Sequence, residues 1–156
     1  MTDRVPASEG EAGSALPPAA LVVDDEPANR DFLVRLLEQA RLRVRGASTG
    51  AEALTIAGEL QGIRLIVIDN KLPDVDGVTL LKQLRARFPQ AVMVMATMLD
   101  ERAIMAQAFE NGCNVFLVKP HGFMELFQRV QQIEALDAAS LSGLVIDQYG
   151  PHPYRG

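Results

Sequence analysis

The sequence predicts an α/β domain, a doubly wound five-stranded parallel sheet with five helices. Three observations lead there. From Ala19 onward, short apolar runs alternate with stretches of helical period. The alternation repeats five times, the pattern of strands crossing over through helices that cover both faces of a sheet. The polar residues with chemical potential cluster at the carboxyl ends of the runs, where open parallel sheets bind ligands. The crossovers are expected to be right-handed.

The elements follow in order. Leu21-Val22-Val23 is a buried-strand run ending in Asp24-Asp25. Pro27 suits the first turn of a helix, in which Phe32, Leu33, Leu36 and Leu37 recur at helical spacing. Leu42 to Ala47 is a weaker strand, and Ala51 to Leu60 a helix with Ala53, Leu54 and Ala57 on one face. Ile63 to Ile68 is the clearest strand, followed directly by Asp69. A loop with Pro73 and Gly77 leads to a helix over Val78 to Phe88, stopped by Pro89. Ala91 to Ala96 is a strand ending at Thr97; Asp100 caps the next helix, which Asn111-Gly112 closes. Asn114 to Val118 is a strand ending at Lys119-Pro120, and Phe123 to about Leu136 the last helix.

Residues 1–18, rich in Ala, Gly, Ser, Glu and Pro, read as a flexible leader. Residues 19–136 form the domain and 137–156 an extension. At 156 residues and 48% hydrophobic content the chain supports one domain with a true core. No apolar run reaches the roughly 18 residues of a membrane span, and no secretory signal opens the chain. A net charge of −5 without a basic run gives no nucleic-acid footprint. The single cysteine, Cys113, cannot pair internally and fits a reducing cytoplasm.

Asp24, Asp25, Asp69, Thr97 and Lys119 all follow or end strands, so the fold should bring them to one edge. Clustered carboxylates repel one another, and a hard divalent cation relieves that repulsion. Oxygen ligation without His or Cys suits Mg²⁺. Lys119 can balance a bound phosphoryl group as a point cation, Thr97 can donate a hydrogen bond to it, and one carboxylate is left to attack phosphorus. Asp69, at the end of the most buried strand, is the natural nucleophile. His121 and His152 lack a ligand pattern and read as solvated loop residues. Cys113 reads as a packing residue, and Met93, Met95, Met98 and Met105 as mostly core, with Met98 or Met105 the ones that could face a partner.

These residues carry a resemblance. Leu21-Val22-Val23-Asp24-Asp25-Glu26 looks like the opening of a two-component response regulator receiver, and Asp69 to Gly77 resembles its phosphoacceptor loop. Thr97 lies 28 residues after Asp69 and Lys119 50 after it, spacings that fit the family. The resemblance covers about residues 20–136. It implies a CheY-like, flavodoxin-like receiver fold of the single-domain type. It implies phosphorylation of Asp69 by a histidine kinase or phosphotransfer protein. Mg²⁺ would be bound by Asp25, Asp69 and the Lys71 carbonyl, with Asp24 assisting through water. Thr97 and Lys119 would read the phosphoryl group, and Phe116 would be the switch aromatic that moves with Thr97. Met98 and Lys71 depart from the usual residues and bear on the lifetime of the phosphorylated state.

Other readings of the same residues are an aspartyl-phosphate phosphohydrolase, a phosphorelay intermediate or a scaffold pseudo-receiver. The first normally pairs its nucleophile with an acid/base Asp two residues on, where this chain has Lys71. With about 20 residues after the last helix, no DNA-binding output domain is expected within the chain. The extension carries an apolar Leu144-Val145-Ile146 run. Contiguous apolar surface marks a contact, so residues 141–149 are expected to join a homodimer interface, with folding back onto the same domain as the alternative.

Overall fold

The computed structural model describes residues 16–98, 102–119, 122–131, 143–147 and 150–155. The five strand–helix repeats are β1 (Ala19–Val23), α1 (Pro27–Gln39), β2 (Arg43–Ala47), α2 (Gly50–Glu59), β3 (Ile63–Asp69), α3 (Gly77–Arg87), β4 (Val92–Thr97), α4 (Arg102–Glu110), β5 (Val115–Val118) and α5 (Gly122–Val130). Two more strands follow, β6 (Leu144–Asp147) and β7 (Gly150–Pro153). The sheet order is β2-β1-β3-β4-β5-β6-β7. The expected five-stranded parallel sheet is thus present as a core, and among the described residues it is widened to seven strands.

Burial explains the strong strands. β1, β4 and β5 are buried along their whole lengths, as continuous apolar runs between two helical layers should be. β2, at the edge, is half-exposed and carries Arg43 and Arg45. Two helix starts are fixed by side-chain caps. Thr49 accepts from the Glu52 amide at α2, and Asp76 accepts from the Thr79 amide at α3. Asp100, expected to cap α4, and the end of the last helix beyond residue 131 lie outside the described residues.

The two layers are distinct. α2, α3 and α4 pack one face of the sheet through Ile56, Leu80, Leu81, Leu84 and Met105. α1 and α5 pack the other through Leu33, Leu37, Phe123 and Leu126, with the Phe32 and Phe123 rings 6.0 Å apart. This placement bears on the sense of the crossovers. The β4–α4–β5 and β5–α5–β6 units step the same way across the sheet, but their helices lie on opposite faces. The four crossovers that join β1 to β5 share one sense, the right-handed sense expected of such units, and α5 lies on the face opposite to α4. The reason lies in α5. Its apolar side, Phe123, Leu126 and Val130, completes the α1 layer and is held there by that packing.

The extension departs from expectation. Residues 144–147 do not reach outward as an arm. β6 runs parallel to β5 in the same chain, with Val115 opposite Leu144, Phe116 opposite Val145 and Leu117 opposite Ile146. β7 returns antiparallel. Val145 and Ile146 are each only 1% exposed, and full burial of such side chains contributes roughly 1.5–3 kcal/mol apiece. Tyr154 adds a ring stacked on Phe109 of α4, at 4.3 Å. The described apolar run is therefore satisfied within its own domain.

Candidate functional site

The carboxyl ends of β1, β3, β4 and β5 meet at one cleft of about 250 Å³, lined by Asp24, Asp25, Asp69, Lys71, Thr97 and Lys119. Residues separated by up to 95 positions are brought into contact. The Lys119 ammonium lies 3.0 Å from a carboxylate oxygen of Asp69 and 3.2 Å from one of Asp24. Lys119 is 5% exposed and Asp24 6%, so this cation is held in a low-dielectric pocket between two anions. The other Asp24 oxygen accepts from the Glu26 amide at 2.9 Å. The Arg30 guanidinium donates to the Asp24 carbonyl at 2.8 Å. Asp24 is thus fixed from three directions, whereas Asp25 stands exposed at the mouth.

The Asp69 carboxyl is pushed above its ordinary range. Burial is the main cause; Lys119 pulls the other way, and the charges of Asp24 and Asp25 add to the rise. Carboxylate oxygens of Asp24, Asp25 and Asp69 lie within 4.8 Å of one another. Such a group, all oxygen and only partly neutralised by Lys119, fits a hard divalent cation. Asp25 and Asp69, with Lys71 lining the same cleft, are the residues that would hold it, and the more buried Asp24 accompanies them.

The loop after Asp69 is held by contacts that motif reading missed. Asp74 accepts from the amides of Gly50 and Ala51 at 2.8 and 3.0 Å. It caps the start of α2 from a distance, and these bonds hold its carboxyl below the usual range. Its partners lie 24 and 23 residues upstream, so no local pattern announces the contact. Gly77 is required by close approach, because a Cβ there would fall 2.5 Å from the Asp69 carbonyl oxygen. The Gly77 amide donates to the Asn70 carbonyl at 2.8 Å, and the Asn70 amide donates to Ala96 at 3.1 Å. The loop that follows Asp69 is therefore bonded to its neighbours on both sides.

The family follows from this arrangement. The response regulator receiver domain matches residues 20–131. The chain belongs to the response regulator receiver family. This receiver is 34% identical over 118 residues to the DNA-binding dual master transcriptional regulator RpaA of Synechocystis sp., covering 74% of this chain and 48% of that protein. It is 30% identical over 132 residues to the transcriptional regulatory protein SrrA of Staphylococcus aureus, covering 85% and 52%. The chain spans about half the length of these curated relatives. Among solved structures it resembles a CheY-like receiver domain protein from Methanospirillum hungatei, with a TM-score of 0.68 and 26% identity over 76% of this chain and 99% of that one. A Burkholderia pseudomallei response regulator with a phosphorylated aspartic acid, calcium ion and citrate aligns at a TM-score of 0.66 and 29% identity, over 76% and 74%.

The other candidates fall as follows. Phe116 does not line the cleft. It is fully buried, 6.5 Å from the Phe109 ring and beside β6. The receiver face formed by α4, β5 and α5 is thus covered at its β5 edge. Cys113 is buried as a packing residue, and burial pushes its thiol up to about 12. Met93, Met95 and Met105 are core, but Met98 is 62% exposed at the cleft. His152 is not a loop residue. It sits in β7 with its ring 2.8 Å from Asp147. His121 lies outside the described residues.

Proposed function

We propose that the chain is a phosphorylation-activated switch in which Asp69 accepts a phosphoryl group from a histidine kinase or phosphotransfer protein. The observation that carries this reading is Lys119, buried and paired to both Asp69 and Asp24, beside an exposed Asp25. A carboxylate oxygen of Asp69 attacks phosphorus in line, forming the new O–P bond while the N–P bond to the donor imidazole breaks. The electron pair leaves on the imidazole nitrogen, which is then protonated. Lys119 is already within reach of the Asp69 oxygen and can follow the charge onto the phosphoryl oxygens. Thr97, ending β4 beside Asp69, can donate its hydroxyl to the same group. Mg²⁺ held by Asp25, Asp69 and the Lys71 carbonyl would offset carboxylate repulsion and phosphoryl charge.

The chain's own chemistry is then limited to accepting the group and losing it to water. Movement of Thr97 and Phe116 is the proposed readout, and a protein target the proposed recipient. A cytoplasmic address goes with such donors and with the unpaired Cys113. None of the described helices is long and apolar enough to cross a membrane.

Acetyl phosphate with Mg²⁺ tests the reading by intact mass. One phosphoryl group should be added to the wild type, none without Mg²⁺, and none to Asp69→Asn. Labelling of Asp69→Asn at the wild-type rate would remove the proposal.

A further inference from the structure

The β6–β7 hairpin has two sides, and they differ in what they offer a neighbour. On the inner side β6 pairs with β5 over Val115 to Leu117, continued by the Leu144 amide donating to Asn114 at 3.1 Å. On the outer side lies β7, with the sequence Gly-Pro-His-Pro. The Tyr154 amide donates inward to the Gly143 carbonyl at 2.7 Å. Backbone groups alternate sides along an extended strand, so Gly150 and His152 also face inward in their pairs with Asp147 and Val145. Pro151 and Pro153 then fall at the two positions whose amides would point outward, and proline has no amide hydrogen. The outermost edge of the sheet therefore offers carbonyls but no donors at these positions, a recognised way of blunting an edge strand.

We propose that residues 143–147 and 150–155 are an intramolecular cap on β5: they occupy the edge that would otherwise accept a strand from a second copy of this chain, and their own outer strand refuses one. What the hairpin covers is apolar and suited to a copy of itself. β5 is wholly buried beside it, with its own Phe116 ring 6.5 Å from the Phe109 ring of α4. Bared, this edge would expose unpaired amides and carbonyls beside apolar side chains, the combination that pairs strands between chains. A two-fold axis would let two such edges meet antiparallel and bury the same residues from each. The extension therefore opposes association through this edge, the reverse of the dimerising arm that its apolar run suggests in the sequence.

Light scattering of three proteins at matched concentration tests the cap. The wild-type chain should scatter as a single chain of 17.0 kDa. A chain ending at Leu136 should scatter at about twice its own mass. A receiver structure aligning over 99% of its length with 76% of this chain exists as a folded protein, so the shortened chain is a fair test, and far-UV circular dichroism checks that it is folded. The third protein keeps the hairpin and restores two outward donors through Pro151→Val with Pro153→Val; it too should approach twice the monomer mass. A dimeric wild type overturns the proposal, as does a monomeric proline variant alongside a folded, monomeric shortened chain. Should the shortened chain be unfolded, the proline variant decides alone: association supports the cap and a monomer overturns it.

Discussion

Two cations are drawn out of water at opposite ends of the same sheet, and their partners differ in kind. Lys119, at the carboxyl end, is held by two carboxylates. Arg85, at the amino end, is half-buried and held by neutral oxygens. Its guanidinium donates to the carbonyls of Phe88, Pro89, Ala91 and Gly112, and to the Asn114 side chain at 2.6 Å. No carboxylate partner accompanies it among the described residues. The carbonyls come from the ends of α3 and α4, where helix dipoles are negative, and from the approach to β4. The planar fork of Arg suits several fixed acceptors, and the point charge of Lys suits an exchangeable one. The first arrangement has nothing to give up. The second can trade a carboxylate oxygen for a phosphoryl oxygen without moving far. One end of the sheet is built to stay and the other to respond.

Breaking the static end should cost most. Arg85→Ala removes six charge-assisted donations, to the carbonyls of Phe88, Pro89, Ala91 and Gly112 and to an Asn114 oxygen that keeps the Met93 amide. Loss of about 3 kcal/mol of unfolding free energy is expected, read as a lowered urea midpoint. Arg85→Lys should recover only part of it. Acetyl phosphate labelling of the folded fraction should continue in both variants, since neither touches the cleft. An unchanged midpoint in Arg85→Ala would remove the contrast between the two ends.

The responsive end should behave in the opposite sense. The folded-state value of Asp69 is raised above its ordinary 3.8. The folded chain therefore binds this proton more tightly than the unfolded chain, and the ionised group costs stability once pH rises through that window. Asp69→Asn should unfold at a higher urea concentration than the wild type at pH 7. The gain should shrink as pH falls below the ordinary carboxylate value, where both states are protonated. A wild type more stable than Asp69→Asn at pH 7 would show that Lys119 outweighs burial. The smallest effect belongs to Lys71, exposed at the mouth of the cleft. An exposed charge contributes about 0.2–1 kcal/mol, so Lys71→Asn should speed phosphate loss by about 1.4- to fivefold and leave Mg²⁺ affinity nearly unchanged. Equal decay rates would show that the side chain does not screen the site.

The same contrast explains what could be read from the residues. Asp24, Asp25, Asp69, Thr97 and Lys119 were legible because each ends a run of apolar residues, and the topology of a parallel sheet gathers such ends without any knowledge of contacts. The first five strands and five helices were legible for the same local reason, with ends shifted by a residue or two. Arg85 and Asp74 were not. Their partners lie at Gly112 and Gly50, far along the chain, and nothing in a lone Arg or Asp on a helix or loop distinguishes it from a solvated charge. β6 and β7 were missed for another reason. A Leu-Val-Ile run becomes a strand only when an edge is free to take it, and Gly150-Pro151 reads as a turn until the outward direction of the proline nitrogens is known. Phe32 shows the limit of periodicity: it shares the helical spacing of the α1 core residues yet remains 48% exposed.

The hairpin's place beyond β5, at the end of the sheet, bears on how the protein comes apart. Four crossovers of one sense interlock β1 to β5, so no strand among them leaves without disturbing two helices. The terminal hairpin joins the sheet at one edge, with Val145, Ile146 and the Tyr154 ring as its further anchors, and its opening leaves the β1 to β5 core in place. Native-state hydrogen exchange would then resolve two layers of protection. Amides of β6 would exchange through a local opening, and those of β3 only when the whole receiver unfolds. The hairpin at the end of the sheet would thus be the first part of the molecule to yield.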